Sequence, residues 1–71
     1  MAGDPTMAYA AKQEGRPGYC AICVDRPEWK NETAKTIAEW VRDGLTVEHK
    51  TLDDAKYGLD LYAAARRSRT T

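Results

Sequence analysis

Polar and apolar positions alternate along residues 19–25, Tyr-Cys-Ala-Ile-Cys-Val-Asp, placing Cys20, Ile22 and Val24 on one face of a strand and Tyr19, Ala21, Cys23 and Asp25 on the other. Apolar groups on both faces predict a strand with cover on each side. Pro27, in the run Arg26-Pro27-Glu28-Trp29-Lys30, has no amide proton for a ladder, so the strand stops there. From Asn31 to Asp43 the spacing changes to three and four: Ala34, Ile37, Ala38 and Val41 form the stripe expected to be buried, with Trp40 at its flank. Lys35 and Glu39 lie on the solvated side. Asn31 is the expected N-cap, Glu32 complements the helix dipole, and Gly44 suits a C-terminal position of positive φ. A second strand follows, with Leu45, Val47 and His49 on its apolar face and Thr46, Glu48 and Lys50 on its polar one. Its pattern is that of a half-exposed strand. Thr51 then caps a second helix with Asp53 and Asp54 in the first turn, and Leu52, Ala55, Leu59 and Tyr62 make its stripe. Gly58 interrupts that stripe at a cost of about 1 kcal/mol relative to Ala. Fraying is expected from Arg66 onward.

These elements define a small single-domain α/β protein in β-α-β-α order, with a sheet of two strands covered by helices. Two strands alone are a marginal sheet, so a third strand over Met7 to Lys12, or pairing with another chain, would be stabilising. If the two strands are adjacent and parallel, the crossover between them is right-handed. Residues 1–18 read as a flexible arm, in which Pro5 to Glu14 could form two helical turns and Gly15-Arg16-Pro17-Gly18 is a strong breaker. Residues 19–65 make the compact domain, and residues 66–71 a basic tail.

Composition narrows the functional classes. At 71 residues a single core supplies only about 3–5 kcal/mol. Formal charge is zero, which argues against a protein held to nucleic acid mainly through phosphates. The balance is uneven: eight bases against eleven acids up to Asp60 leave a net −3, and Arg66, Arg67 and Arg69 restore it. No apolar run reaches the roughly 20 residues of a membrane span, and no secretory pattern opens the chain, so a cytosolic protein without membrane contact is expected.

The candidate chemistry is sparse. Cys20-x-x-Cys23 has zinc-like spacing, but two residues three apart in a strand point to opposite faces, and only His49 is left to help. Two packed thiols are the simpler reading. His49 has no nucleophile tied to it by any pattern, and Asp53 and Asp54 diverge on a helix. Gly15 and Gly18 precede a strand, not the helix N-terminus that a phosphate cradle needs. No catalysis, metal or cofactor is therefore expected.

Six large aromatics are many for so few core positions, and an exposed aromatic beside Arg favours a binding surface. The candidate partner-binding set is Arg26, Trp29 and Lys30 with Thr46, Glu48 and Lys50 of the second strand, and Arg66, Arg67 and Arg69 offer a second contact. A Trp29 folded back to staple the start of the helix is the alternative for that residue. The tail is equally a solubilising end.

Taken together, residues 19–25, 29–43 and 44–62, between an arm at 1–18 and a basic tail at 66–71, resemble the small RNA polymerase inhibitors made by lytic Xanthomonas phages. The resemblance implies a non-catalytic protein of the infected host's cytoplasm that binds bacterial RNA polymerase; a monomer is expected. It also implies interference with sigma-factor engagement at initiation and an effect on termination; three tail arginines are too few to hold DNA alone, so contact with DNA is expected only inside the polymerase complex. Two rivals come from other classes: a small nucleic-acid-binding module, and a metal or redox protein using Cys20, Cys23 and His49.

Overall fold

The computed structural model describes residues 5–69. Residues 1–4 of the expected arm and 70–71 of the expected tail lie outside them. The chain builds β1 (Met7–Lys12), β2 (Ala21–Val24), a 3-10 turn (Pro27–Trp29), α1 (Lys30–Arg42), β3 (Thr46–Thr51) and α2 (Leu52–Arg69). The two helices and two later strands stand in the expected β-α-β-α order. A third strand precedes them.

That strand is the central one. The sheet order is β2-β1-β3, and β1 is antiparallel to both neighbours. The expectation of a loose arm, with helical turns over 5–14, therefore fails at Met7–Lys12. The reason is in the burial: Ala8, Ala10 and Ala11 are fully buried, and residues this small let other elements close on both faces of the strand. Tertiary packing overrides the helical propensity of alanine. Since β2 and β3 each run antiparallel to β1, they are parallel to each other but not adjacent. The ladder extends past the strand ends through Cys20 N–H to the Ala11 carbonyl (2.9 Å) and Leu52 N–H to the Thr6 carbonyl (2.8 Å).

The pleat assigns one helix to each face. Ala8 and Ala10 pack against Ala55 of α2, with Tyr19, Ile22 and Leu52 around them. On the reverse face Tyr9 pairs across the ladder with Cys23 and His49, and lies beside Thr33 and Ile37 of α1. The three layers are α1, sheet, α2. The outer edges of β2 and β3 have no strand partner among the described residues.

Helix α2 explains its own glycine. Tyr19 N–H donates to the Gly58 carbonyl (2.9 Å), and a methyl group on Gly58 would collide with the Tyr19 ring, at 2.6 Å from Cε2. Gly18 has φ of +74°, and a side chain there would run into the Gly58 carbonyl. The glycine that lowers helix propensity thus provides the seat for the loop before β2. Thr51 Oγ1 caps the helix by accepting from Asp54 N–H (3.2 Å), as its sequence position predicts. The helix continues through Arg66 to Arg69, where fraying was expected.

Helix α1 departs further from expectation. It starts at Lys30 with Trp29 in the N-cap position and no side-chain cap, so Asn31 is an exposed residue of the first turn. Thr33 is its buried residue, and Thr36, Ile37 and Trp40 are half-buried. Ala34, Ala38 and Val41 are exposed. The helix is rotated so that only one margin of the expected stripe, Ile37, meets the sheet. A bulky Trp40 and the contact of Thr33 with Cys23 set that rotation.

Candidate docking surface

The Arg26–Trp29 segment lies where β2 ends. Pro27 breaks the ladder and opens the 3-10 turn, whose last residue is Trp29. The indole is 57% exposed, so it does not fold back as a staple. Arg26 places its guanidinium carbon 5.6 Å from the ring centroid, a cation–π arrangement that stiffens both side chains in an outward-facing pair. Lys30 follows as an exposed residue of the first turn of α1. Further along the helix, Ala34, Ala38 and Val41 lie on one side at helical spacing, and Val41 is 60% exposed.

Thr46, Glu48 and Lys50 do not join this surface. By register they stand opposite Lys12, Ala10 and Ala8, hence on the α2 face of the sheet, and β3 is the edge strand farthest from β2. Glu48 is also committed: its carboxylate accepts from the Tyr19 hydroxyl (2.8 Å), and Lys50 Nζ lies 3.8 Å away. On this polar face Thr46 and Lys50 are exposed, while Glu48 is half-buried because Tyr19 reaches across the sheet to it. Desolvation and the adjacent Glu48 carboxylate push the Tyr19 phenol up from 10.0 to about 12. It is a protonated donor throughout the neutral range.

The tail residues are split as well. Arg66 holds its guanidinium carbon 5.9 Å from the Tyr62 ring centroid, and the Tyr62 hydroxyl donates to Gln13 Oε1 (2.9 Å). Arg67 is exposed on the same helix, and the Arg69 side chain lies outside the described atoms.

The residues weighed for chemistry stay apart. Cys20 Sγ points to the Ala11 carbonyl (3.5 Å), while Cys23 Sγ faces Thr33 Oγ1 (3.8 Å) on the α1 side, so the pair straddles the sheet as its spacing requires. Among the described residues no three His, Cys, Asp or Glu side chains converge. His49 is exposed, stacks on Tyr9 with centroids 4.6 Å apart and approaches Asp25 Oδ2 to 3.1 Å. That contact spans β1 and ties together the two outer strands of the sheet. It orients His49 through a carboxylate, but among the described residues no serine, threonine or cysteine hydrogen-bonds to the ring. Among the described residues no helix is long and apolar enough to cross a membrane.

Comparison with protein-family models, curated proteins and solved structures finds no match to this chain. The geometry itself therefore carries the assignment of a surface. The sequence pointed to the Arg26–Trp29 pair but missed the exposed Ala34–Ala38–Val41 stripe, because a stripe of that spacing is ordinarily the buried one. The competing Thr33, Thr36 and Trp40 positions were the available signal.

Proposed function

We infer that this protein is a non-catalytic phage regulator that binds host bacterial RNA polymerase and inhibits initiation by interfering with sigma-factor engagement. The supporting observation is the outward Arg26–Trp29 pair at the head of α1, beside an apolar stripe that the protein's own sheet leaves uncovered. Trp and Arg are the side chains that most often carry interface energy. A helix offering Ala34, Ala38 and Val41 at spacings of four and three matches the helix-in-groove mode of protein recognition. The partner's identity comes from the resemblance of the chain to small phage inhibitors of the enzyme. The open outer edge of β3 supplies a second means of contact.

On this reading the protein works as a monomer in the host cytoplasm and meets DNA only within the polymerase complex, and an effect on termination follows from persistent binding to the elongating enzyme. Trp29→Ala and Arg26→Ala variants test the surface. Each keeps the fold, since both residues are exposed, and Trp29→Ala weakens polymerase binding by more than about tenfold, as for an interface hot spot. Unchanged affinity in both variants refutes the surface.

A further inference from the structure

The opposite face of the molecule carries a second feature that polymerase docking does not use. A cleft of about 300 Å³ lies against α2, lined by Gly18, Tyr19, Tyr57 and Gly58. Lys12 and Lys50 also line it. Its volume is at the lower end of small-ligand sites. Tyr57 is 67% exposed and Leu61, one turn on and also lining the cleft, is 41% exposed, so a large ring and an aliphatic group face water beside a hollow. That is an unusual use of apolar area in a chain whose buried core is built from alanines.

The charges around the cleft are arranged by their partners. Glu48 is engaged by the Tyr19 hydroxyl, with Lys50 Nζ at 3.8 Å. Lys12 has no carboxylate partner among the described residues. Asp54 lines the same wall and is the cleft's own acceptor. Two ammonium groups, that of Lys50 also 3.8 Å from the Glu48 carboxylate, thus line a cavity together with Tyr19, Tyr57 and Asp54, at the place where Gly18 and Gly58 let loop and helix close on each other.

We propose that this cleft binds one nucleotide unit, the base against Tyr57 and the phosphate between Lys12 and Lys50. Stacking on an aromatic side chain accepts any base, and lysine provides a point charge for phosphate. Asp54 accepts a hydrogen bond from an exocyclic amino group, so adenine is preferred over uracil. The same chemistry is offered by a free nucleotide and by one residue of a single strand. The site does not depend on the docking surface across the sheet.

The test is an amide-shift titration of the full chain with adenosine 5′-monophosphate, adenosine, ribose 5-phosphate and a short single-stranded oligoadenylate. The monophosphate shifts Gly18, Tyr19, Lys50 and Gly58, and more weakly so do the two half-ligands. Lys12→Ala with Lys50→Ala, and separately Tyr57→Ala, weaken binding by about tenfold or more. All three residues are exposed, and an unchanged amide spectrum away from the cleft verifies the fold. Tighter binding of the oligonucleotide per site supports a single strand as the source, and equal binding supports the free nucleotide. Absence of shifts at millimolar monophosphate overturns the proposal. So does ribose 5-phosphate binding as well as the full nucleotide, or binding that survives both sets of substitutions.

Discussion

Replacing Gly58 by alanine separates two effects of opposite sign. In an isolated helix the change stabilises by about 1 kcal/mol, from helix propensity and reduced freedom of the unfolded chain. In this structure the new methyl group overlaps the Tyr19 ring, whose hydroxyl donates to Glu48 while the Tyr19 backbone N–H donates to the Gly58 carbonyl. Overpacking of this kind costs about 1–3 kcal/mol, and displacing the ring forfeits hydrogen bonds worth about 1 kcal/mol each. The net expectation is destabilisation by about 1–3 kcal/mol, which lowers the melting temperature by roughly 4–8 °C per kcal/mol in a domain of this size. Urea unfolding followed by far-ultraviolet circular dichroism measures it, with an unchanged slope confirming that the unfolded state is the same. Repeating the change in a Tyr19→Ala background removes the obstacle, and there Gly58→Ala should stabilise. A single Gly58→Ala variant more stable than the parent would refute the close approach of loop and helix.

Gly18→Ala places a side chain at φ +74° and against the Gly58 carbonyl, and is expected to destabilise by at least about 1–2 kcal/mol in the same assay. Thr51→Ala removes the cap on α2 at a cost of about 1 kcal/mol, whereas Asn31→Ala, which caps nothing, should change stability by less than about 0.5 kcal/mol. Tyr19 gives a pH prediction: its folded value is raised above the unfolded one, so its contribution is complete below pH 10.0 and disappears as the pH rises towards about 12. The stability difference between the parent and Tyr19→Phe should shrink over that window, and a difference that grows there contradicts the assignment.

What could be read from the sequence follows from where its signals are local. The β2, α1 and β3 segments and the start of α2 emerge to within a residue or two, because alternation, a breaking proline and the Thr51 cap act within a few positions, whereas the end of α2 lies about four residues beyond the expected one. The central strand is harder to see. Ala8, Ala10 and Ala11 suit a helix by propensity, and they form a strand because two neighbouring strands and two helical layers need small residues between them. Rotation of α1 is likewise a tertiary outcome: the stripe Ala34, Ile37, Ala38 and Val41 is correctly helical, yet the sheet takes up Thr33 and Trp40 at the expense of Ala34, Ala38 and Val41.

The candidate site was legible in the same uneven way. Arg26 and Trp29 lie three apart in one turn, so their pairing is a local matter. Thr46 and Lys50 are open, as a half-polar strand predicts, but Tyr19, from a distant segment, reaches Glu48, and the register sets all three on the α2 face away from Arg26 and Trp29. The α2 cleft draws Lys12, Tyr19, Lys50 and Tyr57 from four separate elements or loops, and no spacing in the chain announces that meeting.

Binding to polymerase is the central claim, and co-migration on a sizing column tests it most directly. The labelled chain is run with purified bacterial RNA polymerase, as core and as the sigma-bound enzyme, alongside Trp29→Ala. The account predicts that the parent travels with the enzyme, that sigma factor is lost from the sigma-bound form, and that Trp29→Ala elutes free. Elution of the parent chain free from both forms of the enzyme would contradict it.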